Sequence, residues 1–159
     1  MAHKASRLKS IHGKRASQDR LALLRDLARA WQAFEQHALP HIRSLGLTPA
    51  QFDVVATLGN TEGMSLGGLA EHTLIYKTTL TGVIDRLAER GLVERVPDQH
   101  DRRSTLARLT PAGETLFAQV FPAHRKHLLQ RFERLDDNEA EQIQAALQRL
   151  REIFAPTPG

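Results

Sequence analysis

The sequence predicts a mainly α-helical fold that carries one small, two-stranded β-ribbon. Three observations in the middle of the chain support this prediction. Apolar residues recur at helical spacing over residues 77–90, and a shorter helical pattern precedes them over residues 65–73. Two runs typical of strands, residues 92–96 and 105–109, follow and are separated by a charged turn. A helix, a turn, a second helix and a ribbon in this order predict a winged helix-turn-helix.

The helix over residues 77–90 has two faces of opposite character. One face is an apolar stripe with the spacing i, i+3, i+4 and i+7, formed by Leu80, Val83, Ile84 and Leu87. The other face contains only small or polar residues, namely Lys77, Thr78, Thr81, Gly82 and Asp85. Gly91 ends the helix where a left-handed residue is favoured. Such a helix fits the major groove of DNA, and the ribbon tip can reach the minor groove beside it.

The helix before this region is predicted over residues 21–43, where apolar residues recur at three- and four-residue steps. Pro40 is expected to bend or end it, because proline lacks an amide hydrogen and clashes with the preceding turn. Gly46 then provides a break. Thr48 is the expected cap of a new helix that starts at Pro49.

Two more amphipathic helices follow the ribbon. The first starts at Pro111 behind a Thr110 cap, with a kink expected from Pro122, and the second runs from the Asp136 cap to Phe154. One small winged helix cannot cover all the apolar stripes that flank it. We therefore expect N- and C-terminal dimerisation helices that meet their copies in a two-fold homodimer.

The overall composition narrows the class of protein. Lys and Arg total 22 against 18 Asp and Glu, a net charge of +4, which is compatible with nucleic acid but does not require it. The chain has no cysteine, which excludes disulfides and thiol catalysis. Neither an apolar run of membrane-spanning length nor a signal peptide is visible, so we expect a cytoplasmic protein with no membrane partner.

These observations predict four segments. Residues 1–20 form a basic arm, expected to be mobile or only partly helical because it contains few apolar residues. This arm either touches DNA phosphates or is a solvated tail. Residues 21–47 and 111–155 are the dimerisation helices, and residues 48–110 are the winged helix.

The run RLAERGLVERVPDQHDRRSTLARLTPAGE, Arg86 to Glu114, resembles the MarR family of bacterial transcriptional regulators. The resemblance rests on a D-x-x-D-R-R turn followed by a strand that ends L-T-x-x-G, and it extends over residues 19–154. It implies a triangular homodimer with interlocked terminal helices and two DNA-binding lobes. The function it implies is sequence-specific regulation of transcription, with a repressor of a pseudo-palindromic operator as our expectation and an activator left open.

Two groups of residues are predicted to bind DNA. The helix contributes Tyr76, Lys77, Thr78, Thr79, Thr81 and, towards the phosphates, Arg86; the wing tip contributes Asp101, Arg102 and Arg103. The negative potential of a narrow A·T-rich minor groove favours an inserted arginine, and the resemblance implies that Asp101 orients Arg103 for this role. Tyr76 departs from the small or acidic residue expected from the resemblance. It either caps its helix poorly or adds a base or phosphate contact.

The resemblance also implies a site for a small aromatic effector, often a carboxylate or phenol, where the dimer helices meet the winged helix. The candidate ligand-binding residues are Trp31, Phe34, His37, His41 and Phe52. Aromatic rings can stack on such a ligand and a protonated histidine can pair with its carboxylate. The alternative is that these side chains are ordinary core and polar fill.

The sequence shows little that would indicate a metal site, a cofactor or enzyme activity. The pairs His37/His41 and His124/His127 have spacings that could hold zinc, but without cysteine or a His-Glu-x-x-His motif we expect no metal and no cofactor. No catalytic motif is recognisable, so we expect no enzyme activity. Two alternatives stay open: a protein-binding or structural winged helix without operator specificity, and an enzyme with unrecognised carboxylate chemistry.

Overall fold

The computed structural model describes residues 2–73, 75–98 and 104–155, with side chains from Arg20 onward. These residues form, in order, α1 (Ala2–Ser44), α2 (Pro49–Leu58), β1 (Met64–Ser65), α3 (Leu66–His72), α4 (Lys77–Glu89), β2 (Val93–Pro97), β3 (Thr105–Leu109), α5 (Pro111–Phe132) and α6 (Asp137–Phe154). The predicted mainly helical fold with a small wing is confirmed. The chain divides into two compact units, Met1–Pro49 and Ala50–Gly159.

The first unit consists of α1, which is longer than the helix predicted over residues 21–43. It begins at Ala2, so the backbone of the basic arm is helical. Partial helicity was expected because the arm has little apolar surface to bury. Alanine, lysine and arginine, however, favour a helix even when their side chains are exposed. Mobility of the arm stays a prediction.

Pro40 lies inside α1, which ends at Ser44, within one residue of the predicted end; the predicted bend at Pro40 stays a prediction. The helix continues for another turn to Ser44, and the Leu45 amide still donates to the His41 carbonyl at 3.2 Å. One proline removes a single amide hydrogen, and hydrogen bonding resumes beyond it. The break falls at Gly46, as predicted, where φ is 77°.

The second unit contains the winged helix. The predicted apolar stripe of α4 forms its centre, because Leu80, Val83, Ile84 and Leu87 are each at most 2% exposed. Fully buried side chains from α2 and α3 complete this core, namely Val54, Val55, Leu58 and Leu69. The short helix α3 packs on α4 in the manner of a helix-turn-helix.

The sheet has three antiparallel strands in the order β1-β3-β2. Strands β2 and β3 form the predicted ribbon, with Val93 opposite Leu109 and Pro97 opposite Thr105. Strand β1, which pairs Met64 with Ala107, was not predicted, because two residues are too few to show a strand pattern. The wing is therefore attached along β3 to the segment that leads into α3.

The predicted caps of the last two helices are confirmed. The Thr110 hydroxyl accepts from the Gly113 amide at 3.1 Å at the start of α5. Asp136 and Glu139 form a capping box at the start of α6. Helix α5 continues past Pro122 to Phe132. No described helix combines the length and apolar character needed to span a membrane.

Large apolar side chains remain exposed on both α1 and α6. On α1 they are Leu21, Leu23, Leu24, Leu27, Trp31 and Phe34; on α6 they are Ile143, Leu147, Ile153 and Phe154. None of the described residues of α6 is buried. A single chain therefore leaves the two predicted dimerisation stripes in contact with water.

Candidate nucleic-acid interface

Helix α4 presents its polar face to solvent, because the buried stripe fixes how the helix is rotated. Thr78, Thr81, Gly82 and Asp85 lie on this face at three-, four- and seven-residue spacing. Six side chains predicted to bind DNA are exposed, namely Tyr76, Lys77, Thr78, Thr79, Thr81 and Arg86. The sequence-predicted residues of α4 thus form one continuous surface.

The first turn of α4 starts this surface. Tyr76 is the N-cap residue, and its carbonyl accepts from the amides of Thr79 at 2.8 Å and Leu80 at 3.1 Å. Its side chain makes no capping hydrogen bond, which confirms that it caps poorly. The amides of a helix N-terminus carry partial positive charge, which adds to that of Lys77 and attracts phosphate.

Arg86 lies beside the glycine one turn before it. A Cβ atom built on Gly82 would lie 3.8 Å from Nη1 of Arg86, which is ordinary van der Waals contact. The guanidinium therefore extends back along the helix surface. Arg90, the residue that follows α4, donates a long hydrogen bond of 3.4 Å to Oε1 of Gln51 in α2.

An ion pair joins α4 to the wing. Nη1 of Arg95 in β2 lies 2.7 Å from Oδ1 of Asp85, and both side chains are about half exposed. A second pair at the same distance links Arg108 to Glu94, which are opposite each other on β3 and β2. No local pattern in the sequence indicates the Asp85–Arg95 pair, because ten residues and a chain reversal separate its members.

A tight junction holds α4, the wing and α5 together. Gly91 has a φ of 67°, and the Leu92 amide behind it donates to the Leu87 carbonyl at 2.9 Å. The Thr110 hydroxyl donates to the Gly91 carbonyl at 2.6 Å. A Cβ atom at Gly113 would collide with the Leu92 carbonyl oxygen. This close approach explains the glycine in the L-T-x-x-G pattern.

The wing tip extends beyond this junction. The Asp98 amide donates to the Ser104 carbonyl at 3.0 Å, one step past the last paired residues of β2 and β3. Asp101, Arg102 and Arg103 lie outside the described residues. Their predicted entry into the minor groove stays a prediction.

The candidate ligand-binding residues fall in both units. On α1, the rings of Trp31 and Phe34 have centroids 5.3 Å apart and are 49% and 39% exposed. His37 and His41 are half-buried further along this helix. In the second unit, Phe52 has its own aromatic partner.

That partner is His124 of α5, which the sequence indicated only as half of a possible zinc pair. The His124 ring meets Phe52 edge to face at a centroid distance of 4.7 Å and stacks on His127 at 6.2 Å. His124 is 5% exposed. Among the described residues, no three side chains of His, Cys, Asp or Glu group closely enough to hold a metal ion.

The chain is similar to several known proteins. Residues 45–104 match the MarR family. The chain is 29% identical over 124 residues to the HTH-type transcriptional regulator MhqR of Bacillus subtilis, covering 78% of this chain and 86% of MhqR. It is 31% identical over 109 residues to the uncharacterized HTH-type transcriptional regulator YsmB of the same organism, covering 69% of this chain and 75% of YsmB.

A solved structure extends the similarity to nearly the full length of another chain. BpsR of Bordetella bronchiseptica superposes with a TM-score of 0.70 at 32% identity, covering 82% of this chain and 91% of BpsR. The DNA binding of BpsR is regulated by 6-hydroxynicotinic acid.

Proposed function

Because the chain belongs to the MarR family of DNA-binding transcriptional regulators, we propose that it represses transcription by binding a pseudo-palindromic operator as a homodimer. Its place of action is then the cytoplasm, where bacterial DNA lies. Members of this family are regulators rather than enzymes, in agreement with the expectation of no catalytic activity.

The observation that carries the proposal is the division of α4 into two faces. The apolar stripe is buried completely, so the residues that remain outside are small, polar or cationic. Their hydroxyl, methyl and ammonium groups can contact base edges, thymine methyls and phosphates in a major groove. The Asp85–Arg95 pair connects the wing to that helix, so one lobe can contact two adjacent grooves.

The homodimer is proposed from the exposed apolar side chains of α1 and α6. Leu147 is 52% exposed and Trp31 is 49% exposed, although both lie on regular apolar stripes. A two-fold dimer that covers these stripes also duplicates α4. The two copies of α4 would enter successive major grooves whose centres are one helical turn, roughly 34–36 Å, apart.

We further propose that an aromatic carboxylate or phenol releases the protein from DNA. The support is the similarity to BpsR, whose regulator is a pyridine carboxylate, together with the exposed Trp31–Phe34 ring pair on α1. The proposed ligand-binding residues are Trp31, Phe34, His37, His41 and Phe52. A ligand that prefers the non-binding state by about 1–3 kcal/mol shifts DNA occupancy usefully.

This ligand proposal has its own test. Benzoates, hydroxybenzoates, pyridine carboxylates and phenols are scored by thermal shift, by Trp31 fluorescence and by release of operator DNA. At least one class should stabilise the protein and release DNA at up to millimolar concentration. The double variant Trp31→Phe, His41→Ala should lose that response, and an intact response in the variant would contradict the assignment of the site.

The DNA-binding proposal is tested with labelled duplexes tiled across the DNA upstream of the gene and with shuffled duplexes of equal composition. Anisotropy titrations between about 50 and 200 mM salt should show preference for one tile and a steep loss of affinity with salt. Arg103→Ala should weaken binding to that tile by about 1–3 kcal/mol. Lys77→Ala should reduce the salt slope by about one.

The alternative of a protein-binding winged helix predicts a different outcome. Such a module does not need a basic recognition face, so tile and shuffled duplexes would bind equally weakly and Arg103→Ala would change nothing. That result would overturn operator binding while leaving the fold unaffected.

A further inference from the structure

The cap of α4 differs from the caps of three other helices. At the starts of α3, α5 and α6, the side chains of Ser65, Thr110 and Asp136 each accept a hydrogen bond from a backbone amide of the first turn. The corresponding residue of α4 is Tyr76, whose side chain makes no such bond. Serine, threonine, aspartate and asparagine are preferred at this position because they satisfy one of the free amides.

Among the described residues, Tyr76 is also the most exposed large hydrophobic side chain. It is 85% exposed, whereas the next, Phe154, is 64% exposed. Phe154 lies on the α6 stripe that we assign to the dimer. Tyr76 instead stands beside Lys77, Thr78 and Thr79 at the start of the proposed DNA-binding surface.

The missing side-chain cap lowers stability, the exposed ring gains none from burial, and both features fall on one residue. A local choice that lowers stability without a compensating contact inside the chain indicates a functional position. The N-terminal residues of a recognition helix are the ones that reach base edges. A capping serine or aspartate is too short to extend from the helix end, whereas a tyrosine ring projects well beyond it.

We propose that Tyr76 determines sequence preference by packing its ring against a thymine C5-methyl group in each half-site. The ring, rather than the phenol hydroxyl, carries the contact. Phosphate attraction at this helix end is already provided by Lys77 and the backbone amides, and what tyrosine adds is apolar area. This inference rests on the proposed DNA-binding function.

The test compares two variants on the operator tile and on the same tile with thymines replaced by uracil, which lacks the methyl group. Tyr76→Ser should raise the midpoint of thermal unfolding by a few degrees, because it restores a cap. It should also weaken operator binding about tenfold. Tyr76→Phe should bind within about twofold of the parent protein.

The uracil substitution identifies the contact. At one thymine of each half-site it should weaken the parent protein about as much as Tyr76→Ser does, and it should not weaken Tyr76→Ser further. The inference is overturned if Tyr76→Ser binds like the parent, if Tyr76→Phe loses as much affinity as Tyr76→Ser, or if no uracil position matters. If the parent protein itself prefers no duplex, the proposed DNA-binding function is overturned as well. The outcomes above overturn only the Tyr76 contact, so the two failures are distinguishable.

Discussion

Asp85 on the outward face of α4 and Arg95 on the first wing strand form an ion pair with a nitrogen–oxygen distance of 2.7 Å. A carboxylate on a DNA-binding face would repel phosphates, and this pairing offsets its charge. The pair also connects the two elements that are proposed to enter adjacent grooves. About half of each side chain is exposed, so its effect on stability is small, about 0.2–1 kcal/mol.

Asp85→Ala is predicted to change DNA binding more than stability. Loss of one negative charge and release of Arg95 towards the phosphates should strengthen binding to shuffled DNA and increase the salt slope by about one. The control is Glu94→Ala, which removes an equal charge from the Arg108–Glu94 pair on the wing sheet. If the two variants change binding identically, net charge alone explains the effect and the special position of Asp85 is refuted.

Gly113→Ala is predicted to destabilise the protein by about 2–4 kcal/mol, because the added methyl group collides with the Leu92 carbonyl at the junction of α4, the wing and α5. Chemical denaturation measures the loss. The matched control is Gly67→Ala in α3, where the new Cβ would meet only the Ser65 hydroxyl at 3.8 Å. Equal stabilities for the two variants would contradict the close packing described at Gly113.

Gly82→Ala is predicted to raise the stability of the protein while weakening its binding to DNA. The new Cβ meets only ordinary contacts with Arg86, so the helix should gain up to about 1 kcal/mol from better helix propensity. The methyl group occupies the polar face and should weaken operator binding. Gly67→Ala, on another helix, should leave DNA binding unchanged. A Gly82→Ala protein that is more stable and binds DNA fully would show that this face does not approach DNA closely.

Charged residues at Leu147 and Leu150 are predicted to prevent dimerisation. Leu147→Glu with Leu150→Glu places charges on the exposed apolar stripe of α6, so both association and stability should collapse. Ala145→Glu with Gln142→Glu adds the same charge elsewhere on this helix and should leave a dimer near twice 17.8 kDa by light scattering. A stable parent monomer at micromolar concentration would refute the dimer.

Periodic and local signals were sufficient to predict most of the fold. The four buried residues of α4 repeat at helical spacing, and the caps Thr110 and Asp136 depend only on residues within one turn. Both kinds of pattern are complete within a short segment of sequence. The exposed residues of α4, which we propose face DNA, followed directly, because burying one face of a helix determines which residues lie on the other.

Tertiary contacts could not be predicted in this way. The Asp85–Arg95 pair and the short strand β1 depend on how the wing folds back, which no local pattern encodes. The contact between Phe52 and His124 joins residues far apart in sequence.

The central claim, that two copies of α4 read an inverted repeat, is tested most directly by selection from a library of random duplexes. The full-length protein should enrich an inverted repeat whose half-site centres are about one helical turn, or slightly more, apart. The complex should contain two chains per duplex. A single asymmetric half-site bound by one chain, or no enriched sequence after repeated rounds, would contradict the claim.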